Sequence, residues 1–222
     1  MVLPPTVAGR VVGSGRFVEA LAAALPQCSG LTQLHLSNVD APPAALAALL
    51  TALNAPDAPK LCSLRLEACG LDAAAAAALA AHVVTKRGRL SHLGLARNPL
   101  GGAGASAFAG ALRKGVPSLR ALDLRLCGCG DAAGAELLLA VRQLSTTWTV
   151  RDDAAPPMFS LNLTASGLGR RAAAVLAAGL GAGAFAGAAL DVSGNVGLAD
   201  AALVSAGGRG VNSLAVLNKR IE

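Results

Sequence analysis

Few side chains in this sequence are able to do chemistry, and their spacing limits what they can do. Histidine occurs at His35, His82 and His92, and cysteine at Cys28, Cys62, Cys69, Cys127 and Cys129. His35 and His92 fall at equivalent outward positions of two short alternating segments two units apart. At about 4.8 Å per strand that separation is roughly 10 Å, too far for shared ligation, because each nitrogen must come within about 2 Å of a metal. His82 belongs to an Ala-rich helical stretch. No CxxC is present, and Cys69 and Cys127 occupy matching positions that turn inward, so the thiols read as packing groups rather than a thiolate cluster. An odd number of cysteines with no secretory segment before them points to reduced thiols in an intracellular protein. Gly101-Gly102-Ala103-Gly104 suggests a phosphate loop, yet it lacks both the GxGxxG spacing and a GK[ST] sequence. Gly128-Cys129-Gly130 recurs at the same place one unit later, so the glycines read as a strand-to-helix turn. No Ser, His and acid are joined by a motif. The sequence therefore predicts no catalytic residue, no cofactor and no metal.

The elements that would position any remaining site follow from composition and periodicity. Of 222 residues, 51 are Ala and 38 are Leu, a mixture suited to closely packed helices around a Leu core. Hydrophobic residues make up 54% and charged residues 14%, which excludes a disordered chain. No apolar run reaches the length of about 20 residues that a membrane helix requires. With no Tyr, one Trp and four Phe, the stacking platforms used on single-stranded nucleic acid are nearly absent. The net charge of +6 comes from 19 Lys and Arg against 13 Asp and Glu.

One pattern organises the chain. LTQLHLSNVDA from Leu31, LCSLRLEACGL from Leu61, LSHLGLARNPL from Leu90 and LRALDLRLCGC from Leu119 are copies of one segment. Weaker copies start at Met158, Gly187 and Val211, and successive starts are 30, 29, 29, 39, 29 and 24 residues apart. Apolar residues at the first, fourth and sixth positions, as in Leu90, Leu93 and Leu95, predict a short strand with one buried face. The ninth position holds Cys69, Asn98, Cys127, Ser166 or Asn195, where an inward polar group would satisfy backbone amides as the chain leaves the strand. Helices are expected over 72–84, 103–112, 131–144 and 169–180, with Asp72 as a cap. Units that cannot bury their own apolar face must stack.

The residues Leu31, Leu34, Leu36; Leu61, Leu64, Leu66, Cys69, Leu71; Leu90, Leu93, Leu95, Asn98, Leu100; and Leu119, Leu122, Leu124, Cys127, Cys129 resemble the leucine-rich repeat family. The likeness is to the long-repeat, ribonuclease-inhibitor-like type. The resemblance implies an α/β curved solenoid of about seven units, with short parallel strands inside and helices outside. Residues 1–222 would form one domain: 1–30 a partial N-terminal unit carrying a helix around Phe17 to Leu25, 145–157 an inserted loop, and 158–222 degenerate C-terminal repeats. Family members mostly bind other macromolecules. The resemblance thus implies a non-catalytic scaffold or adaptor in a larger assembly, in the cytoplasm at a cilium or the cytoskeleton. Arg10 and Arg16 with no acid in the first eighteen residues raise the alternative of a mitochondrial presequence. A reversible inhibitor of an enzyme or GTPase, and an RNA-associated structural protein, are the competing functions.

Three surfaces would serve such partners. Arg65, Glu67, Asp123 and Arg125 stand near the middle of the strand face, where they either receive a partner segment or simply meet water. Lys60, Lys86, Arg87, Arg89, Arg113, Lys114 and Arg142 are expected between helix ends and strand starts. That basic rim would suit an acidic protein surface or an RNA backbone, although basic residues at helix C-termini also complement the helix dipole. The aromatic deficit and the modest net charge weigh against RNA. The insertion holds Trp148, Asp152 and Asp153, expected to lie outside the strand and helix layers and to contact a partner or else to cover a gap between helices.

Overall fold

The computed structural model describes residues 14–39, 42–55, 57–84, 89–116, 118–148, 159–185, 187–198 and 213–215. Helices and strands alternate along it: α1 Ser14–Ala24, β1 Gln33–Ser37, α2 Pro43–Asn54, β2 Ser63–Glu67, α3 Ala73–Val84, β3 His92–Gly94 and α4 Gly101–Arg113, then β4 Ala121–Asp123, α5 Gly130–Trp148, β5 Phe159–Asn162, α6 Arg170–Gly181, β6 Ala188–Asp191 and β7 Ser213–Ala215. The seven strands form one parallel sheet in chain order. Residues one sequence period apart stand side by side, as in Leu34–Leu64–Leu93–Leu122–Leu161–Leu190. The α/β class and the parallel strands alternating with helices agree with the reading of the sequence.

Alternation along each strand places one face in the core and leaves the other open. In β1 the residues alternate exposed and buried throughout. Leu34, Leu36, Leu64, Leu66, Leu93, Leu95, Leu122 and Leu124 pack against Leu49, Leu79, Phe108 and Leu138 from the helices in one continuous core. The helices therefore cover the same side of the sheet. They approach through small residues: a Cβ added at Gly104 of α4 would lie 2.9 Å from the Cβ of Ala76 in α3 and 3.0 Å from that of Leu100.

Where each strand ends, an inward side chain ties its unit to the one before. Asn98 Oδ1 accepts the N–H groups of Cys69 at 2.9 Å and Leu71 at 3.1 Å, while its Nδ2 donates to Leu66 O at 2.6 Å and Leu95 O at 2.7 Å. Asn195 repeats all four bonds on Ser166, Leu168, Leu163 and Val192. Between them, Cys69, Cys127 and Ser166 each donate one bond to the preceding unit, at Leu36 O, Leu95 O and Leu124 O. The expected role of the ninth position is thus realised by two amides and three single donors. One residue earlier, the backbone is left-handed in every described unit: Asn38, Ala68, Arg97, Leu126, Ala165 and Gly194 have φ from 50° to 69°. This conformation costs a non-glycine residue about 1 kcal/mol or more. The N–H groups at these positions offset part of the cost by bonding the next unit, as Arg97 N does to Arg125 O and Leu126 N to Thr164 O, both at 2.9 Å.

Helix ends fall within two residues of expectation, α4 starting at Gly101 and so taking in two glycines read as turn, except in one place. α5 does not stop at 144 but continues through Ser145 to Trp148, so these four residues are helix and not inserted loop, and Trp148 does not lie outside the helix layer. No Gly or Pro intervenes between Gly134 and Pro156, and Leu137, Leu138, Val141 and Leu144 keep a buried helical face up to that point, so nothing terminates the helix earlier. The remainder of the insertion, 149–157 with Asp152 and Asp153, lies outside the described residues. A cap absent from the sequence reading links α5 to α6. Asp131, in the first turn of α5, accepts the N–H groups of Gly169 and Ala172 on Oδ1 and of Arg171 on Oδ2, at 2.9 to 3.0 Å. Desolvation raises the Asp131 carboxyl, but these bonds and the Arg171 charge outweigh it and hold the group below its usual range.

Two experiments follow from this packing. In unfolding by denaturant, Asn98→Ala strands two buried N–H groups and two carbonyls and is expected to cost at least about 3 kcal/mol, against about 1 kcal/mol for Cys127→Ala. Equal losses would remove the special place of the asparagine ties. Within α4, Gly110 has no atom within 4 Å of an added Cβ whereas Gly104 is closed in by Ala76 and Leu100. Gly110→Ala should therefore gain up to about 1 kcal/mol of helix propensity, while Gly104→Ala should lose stability because overpacking of about 1–3 kcal/mol exceeds that gain.

Candidate functional site

The open strand face is where the sequence places Arg65, Glu67, Asp123 and Arg125, and the register sets their neighbours. His35, Arg65, Gly94, Asp123, Asn162 and Asp191 form one row across β1 to β6. Two residues further along, Ser37 pairs with Glu67, followed in the same row by Ala96, Arg125, Thr164 and Ser193. Gly94 leaves a notch that the stem of Arg65 fills, since a Cβ there would come 3.1 Å from Arg65 Cγ. His92 pairs with Ser63, which pairs with Gln33. It therefore stands one pleat away from the row of His35, not at the equivalent position, because it is the third residue of its unit and His35 the fifth.

Three of the four charged residues come together. Arg125 Nη2 lies 3.3 Å from Asp123 Oδ2 and 3.9 Å from Glu67 Oε2, reaching across the unit that contributes Ala96, which is 0% exposed although it faces outward. The Nε of Arg125 is buried with no acceptor. Asp123 also shapes the turn that follows it, because its Oδ1 accepts the Arg125 N–H at 3.0 Å. Asn162 and Asp191 form the same turn with the N–H groups of Thr164 and Ser193. An acidic or amide side chain at this position is thus a local turn former, and the ion pairs around it, partly exposed, contribute about 0–1 kcal/mol. Arg65 is exposed. Its charge, after the larger effect of burial, lowers the pKa of His35, with Glu67 acting in the opposite direction.

The thiols behave as packing groups. Burial raises Cys69 and Cys127 to about 11 and Cys129 to about 12, leaving no thiolate for catalysis near neutral pH. Among the described residues no group of three His, Cys, Asp or Glu is arranged to hold a metal. Ser91 Oγ lies 2.7 Å from His92 Nδ1, a pair that adjacency in sequence makes easy. That hydroxyl, however, donates to Cys62 O at 2.9 Å, so its proton is committed to the backbone and not presented to the imidazole as to a base. Gly102 and Gly104 face Ala133 of α5 and Ala76 of α3, so they permit helix approach.

The basic rim is only partly assembled among the described residues. Arg113 and Lys114, at the C-terminal end of α4, and Lys60 and Arg89 are exposed. Lys86 and Arg87 lie outside the described residues. Arg142 belongs inside α5 and not on the rim, since that helix runs on to Trp148. No described helix is long and apolar enough to cross a membrane.

Two surface features escaped the sequence reading. Arg97 and the 46% exposed Leu126 stand next to each other at the left-handed position. A groove of about 730 Å³ separates α2 from α3, lined by Leu46, Ala47, Leu50, Thr51, Ala75 and Ala78. Aligning the eighth residue of each unit would have exposed the first; the second depends on helix spacing that no local pattern records. Neither a family model nor a curated protein matches this chain.

Thiol labelling checks the assignment of the cysteines as packing groups. In the native state Cys28, which is exposed, should react quickly with a neutral alkylating reagent, while Cys69, Cys127 and Cys129 should react only at the rate of unfolding. Rapid native labelling at any of the three would show a reactive thiolate.

Proposed function

We propose that the chain is a curved leucine-rich-repeat solenoid and serves as a non-catalytic scaffold or adaptor that holds another protein on its open strand face. The observation that carries this reading is the uncovered side of the sheet. All-parallel sheets almost always have both faces covered, yet the outward residues of β1 are exposed and those of β4 half-buried. No described element packs over them. A partner in a larger assembly is the natural second layer. The polar, mixed-charge row around Arg65, Glu67, Asp123 and Arg125 supports a protein partner over RNA, for which the described face offers no Phe, Tyr or Trp and only the separated imidazoles of His35 and His92. A cytoplasmic setting at a cilium or the cytoskeleton rests on family resemblance alone.

Crosslinking of native complexes tests the reading. A retained protein crosslinked to the strand face is expected, and reversing the charges of Arg65, Glu67, Asp123 and Arg125 together should weaken its binding at least about 10-fold, about 1.4 kcal/mol. Neutralising Lys86, Arg87, Arg113 and Lys114 should leave it unchanged. A monodisperse free monomer, or a partner lost only with the rim variant, would overturn the proposal.

A further inference from the structure

The left-handed position at the end of each strand selects small residues or Asn, and most units obey: Asn38, Ala68, Ala165 and Gly194 occupy it. Arg97 and Leu126 do not. Both hold the conformation, at φ 60° and 58°, in adjacent units, and both side chains are exposed. Neither contributes to the core, and a Gly or Asn at either place would suit the backbone better. The turn requires this conformation in each unit, but it does not require a long exposed side chain there, and that choice of residue marks a surface worth testing for function.

The electrostatics around this pair are asymmetric. The guanidinium of Arg125 is taken by Asp123 and Glu67. The exposed side chains of Arg65 and Arg97, by contrast, make no hydrogen bond or ion pair to any described residue. Arg65 sits one unit before Arg97 and three positions earlier in its own unit, so the two are separated by roughly 10 Å of sheet surface. Together they outweigh the one surplus carboxylate of the Glu67–Arg125–Asp123 group.

We infer that Arg65, Arg97 and Leu126 are the footprint for an acidic protein segment that also carries an apolar side chain. This deepens the proposed function and rests on it. Carboxylates of the segment would pair with the two guanidinium groups, for which arginine offers bidentate geometry, and its apolar side chain would cover Leu126. A peptide can place a neutral residue over Glu67 and Asp123. A nucleic acid backbone, with its charge evenly spaced, would have to bring phosphates past both carboxylates, which favours the protein partner.

The test is selection of short random peptides by the purified full-length chain, with binding of the selected peptides then measured by fluorescence anisotropy. Selected sequences should combine Asp or Glu with Leu or Phe. Arg65→Glu with Arg97→Glu should weaken them at least about 10-fold. Leu126→Gly should weaken them several-fold while raising the thermal midpoint, a combination that a merely structural role for Leu126 would not give. Selection of basic or neutral peptides whose binding is lost on substituting Glu67 or Asp123 would overturn this inference and leave the strand-face reading standing. Selected peptides insensitive to every strand-face substitution, an empty selection, or binding of an oligouridine probe alone would overturn both.

Discussion

The constraint on which the structure depends lies where each strand ends. There the chain must turn from sheet to helix, and the amides of the turn have no strand partner within their own unit. Asn98 and Asn195 solve this with one carboxamide each, accepting two N–H groups from the preceding unit and donating to two carbonyls. Cys69, Cys127 and Ser166, having a single proton to give, share it between a carbonyl at the preceding strand end and one two residues back in their own unit. Because every one of these side chains bonds across a unit boundary, the ties cannot form in an isolated unit. Turn geometry, strand register and stacking are therefore one cooperative event.

The rest of the architecture follows from that tie. Strands held side by side at one period put their leucines in file, and the connecting helices must then fit beside one another at a matching spacing. Ala and Gly at the helix contacts permit this, as Gly104 against Ala76 shows. Asp131 adds a second connection between units by capping α6 from α5. With the described helices on one side, the opposite face is left to polar side chains. Some of those serve the turns, as Asp123 and Asp191 do through their bonds to Arg125 and Ser193. Arg97 and Leu126 serve the turn through their backbone N–H groups, but their exposed side chains, like the head of Arg65, lie outside the core, and that is what separates them from their neighbours.

Much of this was legible because a repeated unit shows each requirement several times. Leu93 and Leu95 announce a strand with one buried face, and the small polar residue at the ninth position announces the turn. Interactions that join residues from different units in only one place left no such trace. Asp131 bonds backbone groups 38 to 41 residues away, so sequence could show only that an acid begins a helix. Arg125 pairs with Glu67 two units back, and its commitment is invisible until the small Ala96 between them is placed. The 29-residue spacing does not limit α5, which runs to Trp148, because its own sequence contains no Gly or Pro between Gly134 and Pro156.

Native-state hydrogen exchange of the amides bonded to the two asparagines measures most directly whether these ties hold the units together. The N–H groups of Cys69 and Leu71 on Asn98, and of Ser166 and Leu168 on Asn195, should exchange only through global unfolding, with the same protection as Leu95 and Leu124, whose N–H groups extend the strand ladder to Asp123 O and Asn162 O. Exchange of those four amides at the rate of an exposed turn, while the strand amides stay protected, would show that the asparagines do not join one unit to the next.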